Sequence, residues 1–87
     1  MSRRTVYPID DTTQAGRVIR RFGGVRRLAL ATAIHYSAIY RWVYPKDAGG
    51  TGGHIPAAAL TRVLAAARHE GIFLAAEDLD PRPAYLD

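Results

Sequence analysis

The stretch GGVRRLALATAIHYSAIYRWVY, residues 23–44, decides how this chain folds. Val25, Leu28, Ala29 and Thr32 recur at helical spacing and share one face, and Ile39 and Trp42, three residues apart, do the same in a second run. Residues 33–35 interrupt the pattern, and Pro45 ends the second run because proline cannot extend a helix and disfavours helical backbone in the residue before it. The spacing predicts two short helices, residues 25–32 and 36–44, joined by a tight corner. Leu28, Ala29, Ile34, Ile39 and Trp42 follow one another at intervals of 1, 5, 5 and 3. That order supplies a small residue where the helices approach, an aliphatic plug for the corner, and two anchors that hold the second helix to the core. His35, Tyr36, Ser37, Tyr40, Arg41 and Tyr44 then fall on the outer side, hydrogen-bonding or planar groups that packing does not require.

Outward from this core motif, Ala15, Val18, Ile19 and Phe22 form one apolar stripe of a preceding helix. Asp11 or Thr12 is placed to cap its start, and Gly23 to stop it in a left-handed turn. On the other side, residues 45–54 hold half of the eight glycines and read as a flexible loop. Gly-Gly-Thr-Gly-Gly is not followed by Lys-Ser/Thr and follows no strand, so it is not a phosphate-binding loop. Ile55-Pro56 opens a fourth helix with Ala59, Leu60, Val63, Leu64 and Ala67 as its inner face and Gly71 as its end. Ile72, Phe73 and Leu74 are compatible with a short strand, and residues 75–79 with an acidic helical turn that returns Leu79 to the core. The fold class expected is all-α: a four-to-five-helix bundle at residues 11–80, between an N-terminal arm, residues 1–10, with a short strand around residues 5–7, and a tail, residues 81–87.

A chain of 87 residues with 48% apolar side chains holds one small core and no more. The absence of cysteine removes disulfides, thiolate nucleophiles and cysteine-based zinc sites together. His35, His54 and His69 are scattered without a carboxylate at ligand spacing, so no metal or other cofactor is expected. No Ser-His-Asp grouping is evident, and Glu77, Asp78 and Asp80 read as a helix-end or solvated acidic cluster, so an enzyme is not expected. No segment is apolar enough to span a bilayer or act as a secretory leader, which leads us to expect a cytoplasmic protein without a membrane partner. The net charge of +4 is strongly polarised: residues 1–46 carry nine basic side chains against two acids, and the remainder three against six. A polyanion facing the first half is the expected counterpart.

The run of residues 23–42, with Ile55-Pro56-Ala57, Gly71-Ile72 and Glu77-Asp78-Leu79, resembles the Cro/repressor-like helix-turn-helix family, in particular its small phage-type, YdaS-like members, over about residues 12–80. Two features depart from the family pattern. Ala33 stands where the corner usually has glycine, a left-handed position costing an alanine roughly 1 kcal/mol. Leu30 stands on a face that is commonly solvated, where it either extends the core or marks a contact with another chain. The resemblance implies that residues 36–44 enter the major groove of duplex DNA, which is wide enough for one helix. Tyr36, Ser37, Tyr40 and Arg41 would then read bases: Arg41 grips guanine or clasps a phosphate, Ser37 bonds a base edge or phosphate or serves the helix start, and the tyrosines meet thymine methyls or phosphates, Tyr40 otherwise lying in the core. Arg20, Arg21, Arg26, Arg27, His35, Tyr44 and Lys46 are the expected phosphate contacts, with Lys46 and the glycine loop following the backbone or forming a wing.

Two functions of different class share these residues. One is a sequence-specific transcriptional regulator acting as a homodimer on duplex DNA, paired through Leu74, Leu79, Tyr85, Leu86 and Phe73 unless those residues complete the core. The alternative is a helical adaptor whose basic face binds an acidic protein partner such as a polymerase, an antitoxin partner or a phage assembly component. RNA is disfavoured because no sheet bearing stacking aromatics is expected.

Overall fold

The computed structural model describes residues 8–81, and Arg3, Arg4, the strand expected at residues 5–7, Tyr85 and Leu86 lie outside them. Among the described residues there are four α-helices and no strand: α1 (Gln14–Phe22), α2 (Val25–Thr32), α3 (Tyr36–Val43) and α4 (Ala57–Glu70), with 3₁₀ turns at Lys46–Ala48 and Ala76–Asp78. The segment at Ile72, Phe73 and Leu74 is therefore an irregular connection rather than a strand, since no strand among the described residues offers it a pairing partner.

Thr13, not Asp11 or Thr12, caps α1: its Oγ1 accepts from Gly16 N–H at 3.1 Å while donating to the Asp10 carbonyl at 2.7 Å. Asp10 organises the approach, because its Oδ1 accepts from both the N–H (2.9 Å) and the hydroxyl (2.6 Å) of Thr12, bonds that hold the Asp10 carboxyl below its usual pKa. The stripe of Ala15, Val18, Ile19 and Phe22 is buried as its spacing requires. Gly23, at φ 90°, ends the helix, and the N–H groups of Gly23 and Gly24 cap the carbonyls of Arg20 and Ile19.

Both α1 and α4 pack on the two-helix corner, α1 on α2 and α3 and α4 on α2. Val25, Leu28, Ile39 and Trp42 are buried between them, and Ala29 and Ile34 pack against that cluster from its edge. Ala33 takes the left-handed conformation that the corner demands, φ 59° and ψ 27°, with its N–H on the Ala29 carbonyl at 2.9 Å. An alanine there is strained by about 1–2 kcal/mol, and a glycine loses somewhat more unfolded-chain entropy, so the two effects partly offset. We expect Ala33→Gly to raise stability by about 0.5–1 kcal/mol in urea titrations, the strain being the larger effect. An unchanged or lower midpoint would mean that the corner is relaxed with alanine.

The inner face of α4 differs from the expectation by part of a turn. Val63, Ala66 and Ala67 are buried, Ala59 and Leu60 are partly so, and Leu64 is exposed. Leu64 is about 100° round the helix from Val63, beyond the edge of a stripe that is centred on Val63 and takes in the small Ala66 on its opposite side. Leu74 and Leu79 pack on the core, whereas Phe73 projects into solvent and Leu30 is 85% exposed, so Leu30 does not extend the core of the chain. No helix among the described residues is long and apolar enough to cross a membrane.

Candidate nucleic-acid interface

The outer face of α3 is held in place from three directions. Ile39 and Trp42 anchor its inner side. At its start, His35 is the N-cap residue: Nδ1 accepts from Ser37 N–H at 3.2 Å and lies 2.8 Å from Ser37 Oγ, an arrangement that assigns the ring proton to Nε2.

The glycine-rich loop holds its other end. A helix terminus leaves its last carbonyls without intrahelical partners. Here the N–H groups of Thr51, Gly52 and Gly53 donate to the carbonyls of Arg41 (3.1 Å), Tyr44 (2.9 Å) and Trp42 (2.7 Å), and Thr51 Oγ1 adds a bond to Trp42 at 3.0 Å. The Gly53 carbonyl then accepts from Ala15 N–H at 2.9 Å, in the first turn of α1. Expected as a flexible element, the loop instead caps α3 and the start of α1 at once. Its glycines serve close approach: a Cβ at Gly50 would lie 2.2 Å from the Tyr44 carbonyl oxygen, and one at Gly53 2.7 Å from the Thr13 side chain.

On this scaffold Tyr36 and Tyr40 are exposed, so the core position considered for Tyr40 is not adopted. The His35 and Tyr36 rings stack with centroids 4.4 Å apart and 28° between planes, and Tyr40 meets Tyr36 edge-on at 6.3 Å and 89°. Arg41 is exposed in the adjacent row, four residues after Ser37, with no ion-pair partner among the described residues. Tyr44 is half-buried where the chain leaves α3, and Lys46 is exposed in the 3₁₀ turn just beyond it.

The arginines fall into two groups that charge counting did not separate. Arg17 donates to the carbonyls of Thr12 and Asp80, each at 2.7 Å, and Arg21 Nε donates to Asp78 at 2.9 Å. Asp78, expected in a solvated or helix-end cluster, is 4% exposed and also accepts from Ala75 N–H at 2.9 Å, so it clamps the C-terminal segment to α1. Arg21, expected on phosphate, thus has an internal partner that fixes its Nε. Arg20 is exposed and lies 3.4 Å from Asp11, a surface pair of small energy that salt screens.

Arg26 and Arg27 are exposed in the first turn of α2 without an ion-pair partner among the described residues. The Arg27 side chain lies over Gly23 at the α1–α2 junction. The N-cap of α2, Gly24, offers no side-chain acceptor, and the first turn contains no acid. Two cations at the positive end of a helix dipole are the wrong charge for folding, and an anion there would satisfy both the side chains and the unbonded N–H groups.

Two structural residues lay outside the motif reading. Gln14 is buried, donating Nε2 to the Leu79 carbonyl at 2.7 Å and accepting from Ile55 N–H at 2.8 Å. Its signal in the sequence is a lone amide in line with Val18 and Phe22 at intervals of four. Arg62 of α4 reaches the Ala33 carbonyl at 3.4 Å, a contact without a sequence signal.

Comparison with protein-family models, curated proteins and solved structures finds no match for this chain.

Proposed function

We propose that this chain is a sequence-specific duplex-DNA-binding regulator of the Cro/repressor-like helix-turn-helix type, with α3 as the helix that enters the major groove. The observation that carries this reading is the outer face of α3: three stacked or edge-on aromatic rings beside a guanidinium without a partner among the described residues, on a helix capped at both ends and buried on its inner side. Capping accounts for His35, but neither capping nor core packing calls for Tyr36, Tyr40 and Arg41 on the outer side. Arg26 and Arg27, at the uncapped start of α2, are the leading phosphate contacts, with Lys46 and Arg20 beside them in rank. A single domain of this size buries little DNA surface, so two copies on paired half-sites are part of the proposal.

The test is selection of bound duplexes from a random pool, followed by footprinting and a salt titration. The expected result is a defined motif whose affinity falls steeply with salt, as release of condensed counterions requires. Retention of no duplex at low ionic strength would overturn the proposal and favour the acidic-protein adaptor. On the selected site, Arg41→Ala should weaken specific binding by about 1–3 kcal/mol with unfolding unchanged. Unaltered affinity would remove Arg41 from base reading.

A further inference from the structure

We infer that α3 recognises a half-site built on one guanine with neighbouring thymines, and that Tyr36 and Tyr40 read the thymine 5-methyl groups. This rests on the DNA-binding reading above and specifies its target.

The argument is one of matching chemistry. In the major groove adenine is recognised by a side-chain amide, cytosine N4 by a carboxylate, guanine by a guanidinium, and thymine by apolar contact with its methyl group. Helix α3 contains no Asn, Gln, Asp or Glu. Its single small hydroxyl, Ser37 Oγ, lies 2.8 Å from His35 Nδ1, an acceptor for its proton, so it has no donor left for a base. What remains is one guanidinium, Arg41, and a pair of braced rings that are 53% exposed at Tyr36 and 39% at Tyr40. Stacking on His35 and the edge-on contact favour these orientations of both rings before any ligand arrives, so less rotamer freedom is left to lose on binding. Apolar ring surface held in water gains free energy by covering a methyl group, and only thymine among the four DNA bases carries one in this groove. Tyr36 and Tyr40 are four residues apart, on the order of 6 Å along the axis, about two base-pair steps, and Arg41 lies in the next row, so the contacted bases are close neighbours.

The experiment uses the duplex obtained by selection, with each thymine replaced singly by deoxyuracil, which keeps the pairing and removes only the methyl. Affinity should fall about fourfold at one or more thymines of each half-site. Tyr36→Phe and Tyr40→Phe should retain that sensitivity, since they keep the ring, whereas Tyr36→Ala and Tyr40→Ala should make uracil and thymine equivalent at the position each ring covers. Both residues are exposed, so the fold tolerates these changes. Specific binding that is indifferent to uracil throughout, or sensitivity that persists in both alanine variants, overturns the inference while leaving the DNA-binding reading intact. Failure to select any duplex overturns both.

Discussion

Replacing Gly50 with alanine is expected to lower the unfolding free energy by about 3 kcal/mol, against about 1 kcal/mol for the same change at its neighbour Gly49. The two glycines differ in kind. Gly49 has φ 84° with nothing near a prospective Cβ, so its substitution costs only the left-handed conformation. Gly50 does not have a positive φ, but its Cβ would stand 2.2 Å from the Tyr44 carbonyl oxygen, 2.3 Å from the Tyr44 Cβ and 2.5 Å from the Arg41 carbonyl oxygen. Those atoms are main chain or adjoin it, at the end of α3, and they cannot rotate away. Relief requires the loop to lift, and the bonds from Thr51, Gly52 and Gly53 to the last carbonyls of α3 go with it. A domain of this length is stable by only about 5–10 kcal/mol, so the loss is a large share of the total. Urea unfolding of the two single variants measures the difference directly. Equal costs at the two positions would mean that the loop does not cap the helix.

The second large effect is expected at Gln14. Gln14→Ala removes two hydrogen bonds, to the Leu79 carbonyl and from the Ile55 N–H, that connect the start of α1 to segments 65 and 41 residues further along. An unsatisfied buried polar group costs about 1–3 kcal/mol, so leaving both main-chain groups without their partner should cost about 2–5 kcal/mol. Gln14→Leu refills the volume without the bonds and should recover little of this. Recovery of near-native stability by the leucine variant in thermal unfolding would show that packing, not the amide, is what Gln14 supplies. Because the same amide joins the chain before α4 to the segment after it, hydrogen exchange at Ile55 should accelerate in both variants.

Legibility in the sequence followed the range of the interactions. The α1 stripe, the glycine stops at Gly23 and Gly71, the corner at Ala33 and the anchors Ile39 and Trp42 all depend on neighbours within about one or two helical turns, and each is found where its spacing placed it. The exposure of Tyr36 and Arg41 followed from the same period, because fixing the buried side of a short helix fixes its outer side, while Tyr40, left open between that face and the core, lies at the half-exposed edge.

The misreadings share a cause as well. Asp78, expected at a helix end or in solvent, does bond the start of a 3₁₀ turn, but its burial was hidden because its partner, Arg21, is 57 residues away. The glycine loop looked loose because composition does not reveal which carbonyls its N–H groups will meet. Charge counting did not separate Arg17, which folding turns onto two carbonyls, or Arg21, whose Nε meets a carboxylate, from the cations without such partners. Local periodicity alone thus determined the four helices and, to within part of a turn at α4, which side of each is apolar. The tertiary structure decided which polar groups are spent inside the molecule and which stay free to meet a ligand, because a hydrogen bond acts over about 3 Å between groups that only folding brings together.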